Sequence, residues 1–182
     1  MSLFRKVAMA ALMTIAPLAG AQAADAIALP VASTPVEVPI VDDTGFDWNG
    51  FYAGVYGVGQ LSPAWGTQYG IGINAGVNAQ FDFFLVGAEV ALHGLTGGAI
   101  STTYGQVLGK AGVIITDDLL LYAAAGYGID LGAPVEEDIL VGGGVEFAVT
   151  DDFTLRAQYL HGFAVTGGNP KEQITLGANF HF

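Results

Sequence analysis

Seven side chains in this sequence combine chemical capability with a place in an alternating pattern: Glu89, Lys110, Glu146, Arg156, His93, His161 and His181. The first four are two acids and two bases. Counting back from the turn Thr150-Asp151-Asp152 sets Glu146 directly opposite Arg156. Lys110 shares a face with Gln106, and Glu89 lies on the neighbouring segment and faces the same way. Buried together, the four charges compensate as Glu146–Arg156 and Glu89–Lys110, whereas either sign alone would be costly. Two uses stay open: ion pairs that fill and specify an interior, or a charged constriction in a pore. His93 and His181 are expected to point inward and His161 outward near a rim, so they do not converge on a metal. A hydrolase would need a hydroxyl nucleophile beside His and an acid. His161-Gly162-Phe163 has no neighbouring Ser, and Ser62 and Ser101 lie in separate loops. Gly142-Gly143-Gly144 lacks the following Lys-Ser/Thr of a phosphate loop, and Asp47-Trp48-Asn49-Gly50 lacks calcium ligands at the required spacing. No catalytic residue, metal or cofactor is therefore expected.

The elements that must position these side chains follow from composition. The chain of 182 residues is apolar, with a mean hydropathy of +0.52, yet no uncharged apolar run after the N-terminus is long enough for a membrane helix. Apolar residues dispersed at every second position suit strands facing lipid. There is no cysteine, which excludes disulfides and thiolate sites. All 17 acids lie beyond residue 23, where the only basic residues are Lys110, Arg156 and Lys171. No basic surface can neutralise phosphates, so nucleic acid is excluded as a partner.

Residues 1–23 read as a cleaved signal peptide. Arg5 and Lys6 are its positive start, 7–19 its apolar stretch, and Ala21-Gln22-Ala23 its cleavage site. Residues 24–47 contain Pro30, Pro35 and Pro39 with several acids and no strand period, and read as an extended periplasmic lead-in. From Trp48 to the end the pattern predicts one domain of eight strands, at 49–59, 69–81, 84–94, 102–116, 119–129, 138–149, 153–163 and 172–182. Connections after the second, fourth and sixth strands are tight. The others, 60–68, 95–101, 130–137 and 164–171, are longer, which is the asymmetry of outer-membrane barrels.

Alternation assigns the faces. In the second strand Gly72, Asn74, Gly76, Asn78 and Gln80 oppose Ile71, Ile73, Ala75, Val77, Ala79 and Phe81. In the third, Gly87, Glu89, Ala91 and His93 oppose Phe84, Val86, Ala88, Val90 and Leu92. The last three strands alternate in the same way. The polar face is small and sparsely charged, as a narrow interior requires, and the apolar face is almost free of charge, as lipid requires. Phe81, Phe147, Phe153, Tyr159 and Phe182 are expected near the interfaces. The first and fifth strands are apolar on both faces, and their register stays open.

The run Trp48-Asn49-Gly50-Phe51-Tyr52-Ala53-Gly54-Val55 resembles the first strand of the small porin-like, or immunogenic, outer-membrane proteins of alphaproteobacteria, related to OmpA/OmpX-type barrels. Val141-Gly142-Gly143-Gly144-Val145-Glu146-Phe147-Ala148, followed by Thr154-Leu155-Arg156-Ala157-Gln158-Tyr159, looks like that family's sixth and seventh strands. The terminal Asn179-Phe180-His181-Phe182 looks like its assembly signal. The resemblance implies that the barrel-assembly machinery recognises Phe182. It implies a location and a fold but no reaction. The four longer loops are short for the family, which speaks against an adhesin or receptor role needing large loops.

The combined expectation is an all-β chain forming an eight-stranded antiparallel up-and-down transmembrane barrel in the outer membrane, contacting its lipids. It would serve a structural, cell-envelope or surface-interaction role with a filled polar interior. Alternatives are a narrow porin-like channel and, less favoured, a lipid-modifying enzyme. A further surface or periplasmic protein partner is left unspecified.

Overall fold

A computed structural model of the chain describes residues 45–98, 101–132, 135–166 and 168–182. The expected signal peptide and the expected lead-in up to residue 44 lie outside the described residues. Eight strands follow in order: β1 (Gly50–Ser62), β2 (Gly66–Phe81), β3 (Phe84–Thr96), β4 (Thr102–Thr116), β5 (Leu119–Asp130), β6 (Glu136–Ala148), β7 (Phe153–Ala164) and β8 (Lys171–His181). Each pairs antiparallel with its sequence neighbours, and β1 pairs with β8, so the sheet closes into a barrel. Closure removes the unpaired strand edges that a membrane cannot tolerate.

The tight turns form as the residues dictate. Asp82 has φ 58°, a conformation that Asp tolerates better than most residues, and the chain reverses through Asp82-Phe83. The Thr150 hydroxyl accepts from Phe153 N at 3.2 Å. Where 60–68 was expected to be loop, β1 runs on to Ser62 and β2 begins at Gly66. The ladder Ser62↔Gly66, Leu61↔Thr67 and Gln60↔Gln68 zips the segment into a hairpin around Pro63-Ala64-Trp65. Pro63 ends the ladder because it has no N–H to donate.

The faces follow parity throughout, including the two strands whose register the sequence leaves open. In β1 and β5 the even-numbered residues turn inward: Tyr52, Tyr56, Val58 and Gln60, and Leu120, Tyr122, Ala124 and Asp130, are all buried. Their outward neighbours Phe51, Val55, Leu121 and Tyr127 are exposed. The core is therefore the lumen, and the outer wall is an apolar belt on strands of 11–16 residues. Such lengths, tilted, exceed the ~25 Å apolar band of an outer membrane.

A repeated device fills the lumen. A tyrosine on one strand lies across a glycine on the next, and its hydroxyl meets a partner on the strand after that. Tyr52 of β1 crosses Gly76 and donates to Glu89 of β3 at 2.7 Å. Tyr56 crosses Gly72 and meets His93 Nδ1 at 2.9 Å. Tyr104 of β4 crosses Gly128 and donates to Asp138 of β6 at 2.8 Å, and Tyr122 of β5 crosses Gly144 and donates to Gln158 of β7 at 2.7 Å. A β-carbon at Gly72 would fall 2.5 Å from Tyr56 Cζ, and one at Gly144 2.6 Å from the Tyr122 hydroxyl. These inward glycines make room for rings, and each ring spans three strands.

Candidate functional site

The lumen is the candidate site, because it gathers the charged residues singled out in the sequence. Glu89, Lys110, Glu146 and Arg156 all point into it and are at most 4% exposed. Glu146 and Arg156 are register partners, as expected from the turn. The expected Glu89–Lys110 pair is present, but the expected Glu146–Arg156 pair is not. Arg156 Nη1 contacts Glu89 Oε2, across from its own hairpin, and Lys110 Nζ lies 3.7 Å from the same oxygen. Glu89 thus serves both cations, while Asn74 Nδ2 at 3.5 Å completes its surroundings.

Glu146 is held instead by Thr154 Oγ1, by Asn179 Nδ2 at 2.7 Å and by His181 Nε2 at 3.5 Å. The physical reason is curvature. Inward side chains on a closed wall converge toward the axis, so a long arginine reaches past its register partner, whereas a glutamate is satisfied by its own side of the wall. Lys110 also sits over the Tyr52 ring at 4.3 Å and the Tyr122 ring at 5.3 Å, where the ring faces stabilise its charge.

Toward the loop end lies a second charged group. Lys171 Nζ contacts Asp138 Oδ2 at 2.7 Å and Glu136 Oε2 at 3.1 Å, and is fully buried. Asn169 Nδ2 reaches Glu136 at 3.4 Å, and the buried Asp130 accepts from the Thr102 hydroxyl and from Gly132 N. Asp130, Glu136, Asn169 and Lys171 escaped the sequence reading because 130–137 and 164–171 were expected to be loops, whereas Asp138 opened the expected sixth strand without being singled out. Their parity carried the signal: Glu136 and Asp138 continue the inward series of Leu140 and Gly142, and Lys171 that of Gln173 and Thr175. Ser62 also faces the lumen here, 3.3 Å from Asn169 Nδ2, and Gln60 accepts from Gln173 at 2.9 Å.

The opposite mouth is closed by residues that precede the first strand. Phe46 is 8% exposed and Trp48 is fully buried. Their rings pack edge-on at 4.7 Å, Phe46 packs on His181 at 5.0 Å, and His181 stacks on Tyr52 at 5.3 Å. Phe46 N donates to Asp117 O at 3.3 Å and Trp48 N to Gln80 Oε1 at 3.3 Å, which ties this segment to the turn between β4 and β5 and to the end of β2. The end of the expected spacer is thus part of the barrel's core. Truncating Trp48 to Ala is expected to cost about 3 kcal/mol, in the range for large buried rings, read as a lower urea midpoint of the folded, unboiled gel band.

The histidines lie on the faces expected of them. His93 and His181 are in the lumen, with His93 stacked on Tyr104 at 5.3 Å, and His161 is on the outer wall with Nδ1 2.7 Å from Glu172. Among the described residues no group of three or more His, Asp or Glu is placed to hold a metal ion. Ser101 is exposed and contacts Thr96 at 3.3 Å. Phe182 extends the outer wall, 75% exposed, with its N–H bonded to Phe51 O at 2.9 Å and its ring 5.1 Å from Phe180.

No protein-family model matches the chain, and no curated protein matches it in sequence. Solved structures do match. Ail, the attachment invasion locus protein of Yersinia pestis, has a TM-score of 0.56 at 14% identity, covering 74% of this chain and 97% of its own. Neisserial surface protein A has a TM-score of 0.52 at 15% identity, covering 73% and 97%. The N-terminal β-barrel domain of Pseudomonas aeruginosa OprF has a TM-score of 0.51 at 15% identity, covering 72% and 99%. At these identities the likeness concerns the backbone, and the fold of this chain is that of the small eight-stranded outer-membrane barrels.

Proposed function

We propose that the protein is an integral outer-membrane barrel of a Gram-negative envelope, with a structural or surface-interaction role and neither a conducting path nor a reaction. The observation that carries this reading is the contrast between the two faces of one sheet. The outer face is an apolar belt with exposed Ile71, Val90, Leu155 and Leu176, while tyrosine struts, two ion clusters and an aromatic plug occupy the lumen. Eight strands leave room for such a filling but scarcely for a channel beside it.

Residues 1–23 would be removed on export, so the mature chain would start near Ala24. Phe182, outward and bonded through its N–H to Phe51 O, would be read by the assembly machinery. The test is gel migration of protein from purified outer membranes. Unboiled sample should run at a different apparent mass from boiled sample and resist protease. Recovery from the soluble periplasm without a heat shift would reject the reading.

A narrow porin-like channel is the second reading, favoured by the Glu89, Lys110, Glu146 and Arg156 cluster in the lumen. In planar bilayers the folded protein is expected to give no steps above background. Steps that change on Glu146→Gln or Arg156→Gln would favour the channel instead.

A further inference from the structure

One asparagine of the chain differs from the rest. There are five, and Asn74, Asn78, Asn169 and Asn179 are buried, at no more than 5% exposure. Asn49 is exposed, and it alone is followed by glycine. It stands between the aromatic plug of Phe46 and Trp48 and the start of β1.

The fold fixes both residues of this pair. Gly50 has φ 105°, and a β-carbon there would fall 2.8 Å from Phe182 O, so no larger residue fits. Asn49 is a clamp. Its Oδ1 accepts from Gln80 N at 2.8 Å, and its Nδ2 donates to Asp47 Oδ1 at 3.0 Å. Gln80 Oε1 in turn accepts from Trp48 N. The clamp thus holds the plug segment on the end of β2.

The same pair can react. The amide nitrogen of a glycine, with no β-carbon beside it, reaches the preceding side-chain carbonyl without steric hindrance. Gly50 N, its proton passing to water, bonds to Asn49 Cγ. The negative charge that develops falls on Oδ1, 2.8 Å from the Gln80 nitrogen, which is the distance of an oxyanion donor. The Cγ–Nδ2 bond then breaks, and the nitrogen takes a proton from water and leaves as ammonia. Water opens the resulting five-membered imide at either carbonyl carbon. One opening gives an aspartate. The other gives an isoaspartate, in which the main chain runs through the former Cγ. The net change is amide plus water to carboxylate plus ammonia.

The geometry points to Asn49 as a deamidation site whose conversion releases the Phe46–Trp48 plug. A carboxylate at residue 49 loses the donor that bridged to Asp47 and sets two like charges side by side. An isoaspartate also lengthens the main chain by a methylene between the plug and β1, which puts the plug out of step with Gln80 and Asp117. The barrel wall is spared, because the β1–β2 ladder begins at Gly50.

The test ages the folded barrel in mildly alkaline buffer and maps its peptides by mass spectrometry. The mass gain of –OH over –NH2 should appear at residue 49, partly as isoaspartate, and at none of the four buried asparagines. In a Trp65→Phe background the remaining indole is Trp48. As product accumulates, its emission should shift to the red and become open to acrylamide quenching, with the heat shift retained. Asn49→Asp should show that emission from the start. Asn49→Ser, which has no amide to lose, should show no change on ageing. Conversion at residue 49 in boiled protein but not in folded protein overturns the site, because the clamp would then protect the amide. Conversion in folded protein with unchanged Trp48 emission overturns the release of the plug.

Discussion

Replacing Arg156 with Met is expected to destabilise the folded barrel by about 3 kcal/mol, at the low end of the cost of removing one partner from a buried ion pair. The reason is the Glu89 carboxylate left behind. It is 2% exposed, and its Oε2 serves Arg156, Lys110 and the Tyr52 hydroxyl together. Lys110, at 3.7 Å, retains part of the compensation, which keeps the loss from being larger. Urea titration in lipid vesicles, read by the unboiled gel band, measures it.

The second substitution identifies the partner. Adding Glu89→Gln to Arg156→Met removes the stranded charge and should recover most of the loss, whereas adding Glu146→Gln should not. If Glu146→Gln rescues and Glu89→Gln does not, the arginine pairs within its own hairpin, and the contact across the lumen is wrong. Glu146 lies opposite Arg156 in register, so only such a cycle separates register from contact.

Gly128→Ala should cost about 2 kcal/mol, the scale of overpacking in a filled core. A β-carbon at Gly128 would overlap the Tyr104 ring, falling 2.6 Å from Cζ, and the three nearest atoms it would meet all belong to that tyrosine. The ring would have to move, and its 2.8 Å hydrogen bond to Asp138 would go with it. Asp138 also holds Lys171, so the strain reaches the loop-end ion cluster. Tyr104→Leu alone should also destabilise. In the double variant the two losses should fall well short of their sum, because the leucine no longer occupies the space above residue 128. Full additivity would mean that ring and glycine do not form one unit. Gly109 gives the contrast: on the outer wall, a β-carbon there would meet nothing nearer than 3.7 Å, so Gly109→Ala should be nearly neutral.

What the sequence determined by itself is what short-range rules encode. Tight turns such as Asp82-Phe83 and Thr150-Asp151-Asp152 set the hairpins, and period-two alternation set which residues share a face. Together they located eight strands and put Glu89, Lys110, Glu146 and Arg156 on the inner wall. They also set the wall neighbours of Arg156, because register is counted from a turn. They were silent where alternation was weak, as in Phe51-Tyr52-Ala53-Gly54 and Leu119-Leu120-Leu121-Tyr122. There tyrosines and a leucine serve an interior that the pattern reserves for polar residues.

Only closure of the sheet decided the rest. It turned Tyr52, Tyr56, Tyr104 and Tyr122 into struts over glycines one strand away, and it folded Phe46 and Trp48 into the mouth. It also carried Arg156 to Glu89, 67 residues distant in sequence. Spacing along a chain specifies which residues lie beside one another on a wall. Which side chains meet across the lumen depends on the curvature of that wall and the reach of each side chain, and both exist only once β1 has found β8.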